Sequence, residues 1–469
     1  MEKTVHIAVV SGVGYSHLVP ILQFSKQLVQ LHPEFHVTCF IPTLGSPSSA
    51  SKSILQTLPS NINYTFLEPE NPNDLPQGTP INSIHLTLIH SLPYLHQALK
   101  TLTLRTPVVA LVVDSFASKA LDFAKEFNML SYIYFPNAAS TLSFCFELPK
   151  LDEETTCEYK DLPKPITFPG CVPLHGRDFF SHVQDRSSQD YKHFLQLVKL
   201  LHIADGILVN SFLEMESGPI KALNEEGTVK GNPSVYPVGP IIQTVTSSGD
   251  DDGLECLSWL DKQQSSSVLY LSFGSGGTLS QEQIVELALG LELSNHKFLW
   301  VVRAPSSSAN VAYLSAQNDV DPLQFLPSGF LERTKEKGLV IPSWASQSQI
   351  LSHSSVGGFL THCGWNSILE SVVHGVSLIT WPLFAEQKMN AVLLSEGLKV
   401  GLRPRVNEND IVERAEVAKV IKCLMKGEEG EKLRNNMKEL KEAASNAIKE
   451  EGSSTKTISQ LAVMWRKLV

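Results

Sequence analysis

The sequence lacks several features that mark whole classes of protein. Its 38 lysines and arginines are outnumbered by 48 aspartates and glutamates, giving a net charge of −10, so it lacks the basic surplus typical of nucleic-acid binding. No run reaches the roughly 18 consecutive apolar residues of a membrane-spanning helix, and the N-terminus lacks the apolar core of a signal peptide. The seven cysteines include no CxxC pair, which favours free thiols over a disulfide framework or zinc site. These absences predict a cytoplasmic protein with no nucleic-acid partner and no membrane span.

The chain is long enough for two hydrophobic cores. Its 469 residues exceed the roughly 250–300 residues at which a single core stops growing. Short β-branched runs alternate with longer segments of helical period, which is the pattern of parallel sheets covered by helices on both faces. We therefore predict an α/β protein with two doubly wound domains. The predicted strands are 6–10, 37–42, 108–114, 132–135 and 206–211 in the first domain, and 267–274, 297–303, 339–343, 358–362, 378–381 and 399–403 in the second.

Composition also predicts where the domains end. Residues 242–253 are mostly Ser, Thr, Gly and Asp, which is a linker composition. We predict a Rossmann-like N-terminal domain, a linker, a Rossmann-like C-terminal domain, and a terminal helix that packs back on the N-terminal domain; these span 1–241, 242–255, 256–454 and 455–469. A second polar stretch, 304–327, is predicted to be a surface loop.

Chemistry is expected in the turns that follow the strands, because open parallel sheets bind ligands beyond the carboxyl ends of their strands. The turn after the first strand contains His17, and Pro20 is suited to the first turn of the helix that follows. Imidazole titrates near neutral pH and can take a proton from a hydroxyl. Asp114 ends another apolar strand and could orient such a histidine. A capped or solvated histidine is the alternative interpretation of His17.

Two glycine-containing turns mark the second half. Residues 273–278 read FGSGGT after a predicted strand, and glycines there let backbone amides approach a phosphate, although such a turn is as often a plain connection. Residues 357–367 read GGFLTHCGWNS, ending a strand and opening a helix predicted over 368–374. Asn366 and Ser367 are residue types that cap helix N-termini.

Three side chains near the second turn suit a nucleotide. Backbone amides at the predicted helix start, with His362 beside them, would form an anion site that could hold a diphosphate without a metal. Trp344 offers a flat face for a base, and Glu370 could accept hydrogen bonds from ribose hydroxyls. A tryptophan at a strand end is more often a packing residue, so this interpretation has a structural alternative.

The stretch from Trp344 to Gln387 closely resembles the signature box, or PSPG box, of the plant family-1 UDP-sugar glycosyltransferases of secondary metabolism. Residues 271–277, 330–334 and 385–390 resemble the hydroquinone or arbutin-synthase-like branch, which glucosylates phenols. The resemblance covers essentially the whole chain.

Several positions depart from the family pattern. Ser346 and Ser377 stand where the family usually has proline. Tyr15 and Ser16 lie between glycine and histidine in a turn that usually reads Gly-x-Gly-His. Asn137 occupies a position where the family often has a threonine near the sugar.

The resemblance implies a GT-B fold, with two facing Rossmann-like domains and an interdomain cleft. The N-terminal domain, 1–241, would bind the acceptor, and the C-terminal domain, 256–454, would bind the UDP-sugar. It implies a hexosyltransferase that moves glucose, with inversion and without a metal, from UDP-glucose to a small phenolic or flavonoid-type plant metabolite. UDP-glucose is then a co-substrate, and no cofactor is expected. His17 would be the catalytic base and Asp114 its partner. The residues implied around the UDP-sugar are Ser275, Trp344, Ala345, Gln347, His362, Trp365, Asn366, Ser367, Glu370, Glu386 and Gln387.

The family roles within that set are distinct. Trp344 would stack on uracil, and Glu370 would hold the ribose hydroxyls. Glu386 and Gln387 would contact the sugar hydroxyls, and glutamine at the last position of the box usually accompanies glucose.

The acceptor is left open by the sequence. Aromatic and amide side chains that could line its pocket are Phe116, Asn137, Phe144 and Phe180, and each phenylalanine could equally be a core residue. Phenols, flavonoids and monolignol-like alcohols all fit this description. Attack by nitrogen or carbon in place of oxygen is an alternative.

Three rival functions fit the sequence less well. A metal-dependent transferase would use carboxylates such as Asp250–Asp252, but these lie in a linker composition typical of a solvated charge run. An NAD-dependent oxidoreductase would need a GxGxxG turn with a spaced ribose carboxylate, which neither half supplies. A UDP-sugar-binding protein without catalysis conflicts with the presence of both His17 and Asp114. A monomer is the default expectation.

Overall fold

A computed structural model of the chain describes residues 4–43, 47, 49–67, 80–243, 251–306, 320–342 and 344–469. The chain divides into two compact units. Unit 1 comprises Met1–Arg177, His182–Gln243 and Ala444–Val469, and unit 2 comprises Asp178–Ser181 and Thr244–Ala443. No helix within the described ranges is long and apolar enough to cross a membrane.

Parts of the predicted linker and of the predicted surface loop are not among the described residues. Residues 244–250 of the linker, including Asp250, lie outside the described residues, as do 307–319 of the predicted surface loop and Ser343.

Unit 1 is built on a seven-stranded parallel sheet. Its strands are β1 (Val5–Val10), β2 (Phe35–Pro42), β3 (Ile62–Leu67), β4 (Val108–Asp114), β5 (Leu130–Phe135), β6 (Gly206–Val209) and β7 (Ser234–Pro237). Their order across the sheet is β3-β2-β1-β4-β5-β6-β7. The order reverses between β1 and β4, which pair with Val10 beside Val113. The carboxyl ends of these two strands therefore form the switch point at which such sheets bind ligands.

Unit 2 is built on a six-stranded parallel sheet. Its strands are β8 (Val268–Ser272), β9 (Lys297–Val302), β10 (Gly338–Pro342), β11 (Val356–Thr361), β12 (Leu378–Thr380) and β13 (Gly401–Leu402). Their order is β10-β9-β8-β11-β12-β13. The switch point lies between β8 and β11, which pair with Thr361 beside Ser272. The turns that follow β8 and β11 are thereby brought side by side.

Helices cover these sheets in both units. In chain order they are α1 (Tyr15–Leu31), α2 (Ser49–Gln56), α3 (Pro80–Thr103), α4 (Leu121–Glu126), α5 (Ala139–Glu154), α6 (Gln189–Leu200), α7 (Ser217–Lys230), α8 (Asp251–Leu260), α9 (Gln281–Ser294), α10 (Phe330–Thr334), α11 (Gln347–Ser352), α12 (Trp365–His374), α13 (Gln387–Val392), α14 (Arg414–Lys426), α15 (Glu428–Ala447) and α16 (Ser453–Arg466).

The terminal helix belongs to the core of unit 1. Ile458, Leu461 and Trp465 of α16 are fully buried with residues of β1, β2 and α1. The Trp465 ring meets the Tyr132 ring edge-on, with centroids 5.3 Å apart. Burying three large apolar side chains on one helix face stabilises its position by several kcal/mol, at roughly 1.5–3 kcal/mol each. Unit 1 includes the chain from Ala444 onward, so the return to this unit begins before the start of α16.

Two local expectations are wrong. Helix α1 begins at Tyr15, so Pro20 lies inside the helix and not in its first turn. Helix α12 begins at Trp365, three residues earlier than predicted, and its N-cap is Gly364. Asn366 and Ser367 therefore lie in the first turn and do not cap the helix. The physical reason is Cys363, whose left-handed φ of 65° turns the chain directly after β11.

Two strands were not predicted from the sequence: β3 and β7, the two edge strands of the first sheet. Within β3, the side chains of Asn63, Tyr64 and Thr65 are exposed, so the strand has no continuous apolar run. Conversely, the predicted strands 206–211 and 267–274 extend beyond β6 and β8, because their last residues belong to the turns at the carboxyl edge.

Candidate active site

The two predicted catalytic side chains of unit 1 lie in contact at its switch point. His17 lies in the first turn of α1, and Asp114 is the last residue of β4. The Nδ1 atom of His17 lies 2.9 Å from Oδ2 of Asp114. The carboxylate is fully buried, whereas 13% of the His17 side chain is exposed. The extra residues Tyr15 and Ser16 are accommodated as the first two residues of α1.

Asp114 is held by the backbone that follows it. Its Oδ1 atom accepts a 3.0 Å hydrogen bond from the Phe116 N–H and caps the 3₁₀ helix Ser115–Ala120, a position that favours a carboxylate. Oδ2 is thereby aimed at His17. Because an ionised carboxylate only accepts hydrogen bonds, Nδ1 of His17 carries the proton and Nε2 is the basic nitrogen.

Gly12 makes the close approach between these groups possible. A Cβ atom added at Gly12 would lie 2.6 Å from Oδ1 of Asp114 and 3.0 Å from Cβ of His17. No side chain fits at that distance without moving one of the two.

We expect Gly12→Ala to separate His17 from Asp114 and to lower kcat by about 10²-fold, since displacements near 1 Å have effects of that size. Steady-state kinetics and a thermal melt measure this. Gly231→Ala is the matched control: its added Cβ meets nothing within 4 Å, although φ is +76°. That variant should lose stability but keep its kcat, and equal kcat losses in the two variants would contradict the argument.

A mostly apolar cavity adjoins the histidine. Val10 and Phe116 contribute to its wall. The Phe116 ring lies 4.9 Å from the His17 ring, centroid to centroid. Most of the wall comes from α3 and from the 3₁₀ helix after Asp114, and the further lining residues include His85, Leu88, Ile89, Leu92, Leu95 and Lys119. The α3 residues of this wall were not predicted from the sequence, although the apolar stripe on α3 was a signal that could have revealed them.

The other predicted acceptor residues do not line this cavity. Asn137 follows β5 and is partly exposed, and its buried Oδ1 atom has no hydrogen-bond partner within the described part of the chain. Phe144 is fully buried, edge-on to Phe168 at 5.3 Å. Phe180 belongs to unit 2 and is 7% exposed.

In unit 2, His362 follows β11 and lies between two glycines. A Cβ added at Gly274, in the turn after β8, would lie 2.6 Å from the imidazole, and one added at Gly364 would lie 2.4 Å from its Nε2 atom. Burial lowers the pKa of His362 to about 4, so the ring is neutral near pH 7 and acts as a hydrogen-bond donor or acceptor without charge. Among the residues that the structure describes, its Nδ1 atom has no hydrogen-bond partner.

The start of α12 can bind an anion. Gly364 is the N-cap residue and supplies no side-chain hydrogen bond to the first turn. The positive end of the helix dipole and the N–H groups of this turn favour a negative group there. The indole of Trp365 is 3% exposed, so the backbone of this residue, and not its ring, lies at the anion position.

Three polar side chains form a hydrogen-bonded network between α11, which supplies Gln347, and α12, which supplies Ser367 and Glu370. The Gln347 Nε2 atom donates to Oε2 of Glu370 at 2.6 Å and to Oγ of Ser367 at 2.9 Å. Glu370 is 9% exposed. Burial raises the pKa of Glu370 to about 7, although the hydrogen bond from Gln347 opposes that shift. This network fixes a carboxyl group beside the helix start.

Trp344 provides an exposed aromatic face after β10. It is 48% exposed, more than any of the other five tryptophans of the chain, and the neighbouring Ala345 is 6% exposed. Exposing an indole has no packing benefit, so an exposed tryptophan in a ligand site is typical of stacking.

An arginine that the sequence analysis missed supports the glycine turn after β8. Arg303 follows β9, and its Nη1 atom donates to the carbonyl of Gly274 at 3.3 Å and to that of the exposed residue Ser275. In the sequence, Arg303 is the last residue of the predicted strand 297–303, and a cation at the carboxyl end of an apolar strand was the available signal. These two hydrogen bonds from the Arg303 side chain hold the backbone of the turn after β8.

The last two residues of the signature box lie at the start of α13. Glu386 is the N-cap residue and is partly exposed. Gln387 is 3% exposed, and its Oε1 atom accepts from the N–H groups of Leu383 at 2.8 Å and Phe384 at 3.0 Å. Its Nε2 group is the part that remains as a donor.

Comparison with known proteins identifies the family. A family model described as UDP-glucoronosyl and UDP-glucosyl transferase matches residues 237–440. The hydroquinone glucosyltransferase of Rauvolfia serpentina is 53% identical over 471 residues, which cover 100% of this chain and 99% of that protein. The chain is a member of the UDP-glycosyltransferase family. The predicted family, its hydroquinone-like branch and the predicted enzyme class are confirmed.

Solved structures extend the likeness to the whole fold of this UDP-glycosyltransferase. UGT2 of Phytolacca americana, solved with UDP-2fluoro-glucose and pterostilbene, is 47% identical with a TM-score of 0.89, covering 98% of this chain and 100% of that one. A UDP-glucosyltransferase from Polygonum tinctorium, capable of glucosylating indoxyl and solved with 3,4-dichloroaniline, is 46% identical with a TM-score of 0.90, covering 99% of each chain. The predicted GT-B class with two Rossmann-like domains is confirmed.

Within the described ranges, no three His, Cys, Asp or Glu side chains lie together in a way that could hold a metal ion.

Proposed function

We propose that this UDP-glycosyltransferase transfers glucose from UDP-glucose to a hydroxyl group of a small phenolic or flavonoid-type acceptor, by an inverting single displacement that uses no metal. The observation that carries the proposal is the 2.9 Å contact between His17 Nδ1 and the buried Asp114 carboxylate. It supports a base whose Nε2 atom takes the acceptor proton.

The proposed reaction is a single displacement, in which the acceptor oxygen replaces UDP at the anomeric carbon. Nε2 of His17 takes the hydroxyl proton while the acceptor oxygen forms a bond to the anomeric carbon of glucose. The bond from that carbon to the UDP oxygen breaks on the opposite face, so the α-linked donor gives a β-glucoside and UDP. The imidazolium formed at His17 is stabilised by Asp114.

The described parts of unit 2 support a donor site. Trp344 would stack on uracil, with Ala345 and Gln347 beside it, and Glu370 would accept hydrogen bonds from the ribose. The start of α12 with Asn366 and Ser367, the neutral His362 and the turn at Ser275 would surround the diphosphate, whose growing negative charge needs fixed donors. Glu386 and the Nε2 group of Gln387 would contact the sugar.

The cavity beside Phe116 supports the acceptor class. Its largely apolar wall, to which Phe116 and several α3 residues contribute, suits a small aromatic molecule. Nitrogen attack is the second candidate, because the Polygonum tinctorium relative was solved with an aniline. We also propose a reducing, cytoplasmic location, which the free thiols of Cys39, Cys157 and Cys363 support.

The deciding experiment incubates the protein with UDP-glucose, EDTA and a panel of phenols, flavonoids and anilines, followed by mass spectrometry and NMR of any product. We expect a hexose mass gain on a hydroxyl with a β-anomeric signal. A gain on anilines alone would replace oxygen by nitrogen attack. Loss of activity in EDTA with recovery on adding a divalent metal would overturn metal independence, and UDP binding without transfer would leave a binding protein.

The pKa of Glu370 predicts a pH dependence of donor binding. Ribose hydroxyls donate to the carboxylate, and Glu370 becomes protonated as the pH falls below its pKa of about 7. The dissociation constant of UDP-glucose should therefore rise about tenfold from about pH 8 to about pH 6 and stay level at higher pH. The diphosphate diester of UDP-glucose does not titrate in this range. Calorimetry without acceptor measures the constant directly.

Two variants isolate this effect. Glu370→Gln should bind UDP-glucose weakly at every pH, with no slope. Glu292→Gln, which removes a carboxylate paired with Arg333 at 2.7 Å, should keep the wild-type slope. A slope that persists in Glu370→Gln would assign the titration to another group.

A further inference from the structure

Residues 178–181, which we call the inner segment, belong to unit 2 although the chain on both sides belongs to unit 1. Phe179 is fully buried and Asp178 is 6% exposed. Four residues so far in sequence from the rest of unit 2 need specific contacts to hold them there.

One contact is an ion pair to the last strand. Nη2 of Arg403, directly after β13, donates to Oδ1 of Asp178 at 2.7 Å. The Asp178 side chain is 8% exposed and that of Arg403 is 33% exposed. A pair with one buried carboxylate is screened less by water than a surface pair, so it fixes the first residue of the inner segment.

The second contact is a two-way hydrogen bond to Ala385. The Ser181 N–H donates to the Ala385 carbonyl at 3.0 Å, and the Ala385 N–H donates to Oγ of Ser181 at 2.9 Å. Ala385 has a left-handed φ of 53°, a conformation unfavourable for alanine and maintained only where its surroundings require it. Ser181 supplies both partners of that residue's main chain.

Ala385 directly precedes the residues proposed to contact the sugar. On its other side, Oε1 of Gln387 holds the N–H groups of Leu383 and Phe384. The turn 383–387 is therefore held by hydrogen bonds to the Gln387 side chain and to Ser181. Its backbone direction at Ala385 decides where Glu386 and Gln387 point.

We propose that Ser181 is a positioning residue for the donor sugar: through its hydroxyl and N–H it holds Ala385 in the conformation that orients Glu386 and Gln387, with the Asp178–Arg403 pair fixing the other end of the segment. The proposal rests on the proposed function, in which those two residues contact the sugar. It makes sugar selectivity depend on a serine from the N-terminal half of the chain.

The test compares Ser181→Ala with Ser181→Thr, which keeps the hydroxyl, and with Ser258→Ala, an exposed serine on α8. We expect Ser181→Ala to lower kcat/KM for UDP-glucose about tenfold and to reduce the preference for UDP-glucose over UDP-galactose, because misplaced contacts lose discrimination. The dissociation constant of UDP, which has no sugar, should stay within about twofold of the wild type. Ser181→Thr should restore most of the selectivity, and Ser258→Ala should match the wild type.

The outcomes separate the two proposals. A Gln387→Ala variant that changes sugar selectivity while Ser181→Ala does not would overturn the positioning role and leave the proposed function intact. Equal losses of UDP and UDP-glucose binding in Ser181→Ala would reduce Ser181 to a structural role. No transfer from UDP-glucose by the wild type would contradict the proposed function itself.

Discussion

His17→Ala is expected to lower kcat by about 10³-fold, within the 10²–10⁴-fold range that a general base contributes. The side chain carries the basic Nε2 nitrogen, and the residue lies in the first turn of α1, where alanine is well tolerated. The dissociation constant of UDP-glucose should stay unchanged, because the proposed donor contacts lie in unit 2. Single-turnover kinetics with a saturating phenol and calorimetry with UDP-glucose separate the two quantities.

The acceptor itself provides a sharper test of the base. Phenols that ionise more easily need less help in losing the proton, so the loss in His17→Ala should shrink as the pKa of the phenol falls. A nitrophenol should therefore be affected much less than hydroquinone. His96→Ala is the control, since His96 pairs with Glu126 on the outside of α3 at 2.7 Å. A loss of the same size for every phenol would point to a binding role for His17.

The interior of the fold was predictable because it has one physical signature. Strands such as β1 and β4 are buried at every position, and a strand covered on both faces must be apolar throughout. The edge strands β3 and β7 have a sheet neighbour on one side only and carry exposed side chains. Their polar residues resemble a loop, so local composition could not reveal them.

That His17 and Asp114, the proposed catalytic pair, lie at one edge of the sheet was predictable, and the geometry of their contact was not. Both His17 and Asp114 follow apolar strands, and parallel sheets collect such positions at one edge. Their contact spans 97 positions along the chain, and no local pattern encodes it. The family resemblance supplied that link, and Gly12 acquires its meaning only from the distance to Asp114.

At the N-terminus of α12, local residue types led to a wrong prediction. Asn366 and Ser367 have the residue types of a cap, yet Gly364 occupies that position. The start of the helix is set by Cys363, a residue that rarely adopts a positive φ. Backbone angles of this kind are decided by the surrounding turns, here the approach of Gly274 and Gly364 to His362, and composition does not reveal them.

Asp114→Asn is expected to lower kcat by about 10³-fold although it changes only one atom, since a wrong histidine tautomer has effects of that order. If the asparagine Oδ1 keeps the hydrogen bond from the Phe116 N–H, its NH₂ group faces His17 Nδ1. A donor there requires Nδ1 to accept, so the proton moves to Nε2 and the base is lost. If the amide turns round, its NH₂ group opposes the Phe116 N–H and the cap is lost instead. Steady-state kinetics, with UDP-glucose binding as the control, measures the loss.

The double variant His17→Ala with Asp114→Asn decides whether the two residues act as one unit. Asp114 has no catalytic effect in this scheme except through the tautomer and charge of His17. Once the imidazole is gone, the second substitution should lower kcat by no more than about twofold, whereas independent effects would multiply to about 10⁶-fold. A multiplicative loss would mean that Asp114 acts on the substrate directly or that its replacement disturbs the 3₁₀ helix that carries Phe116. A thermal melt of the double variant beside His17→Ala separates those two explanations, because neither protein has the His17–Asp114 contact and only a disturbed 3₁₀ helix lowers the melting temperature further.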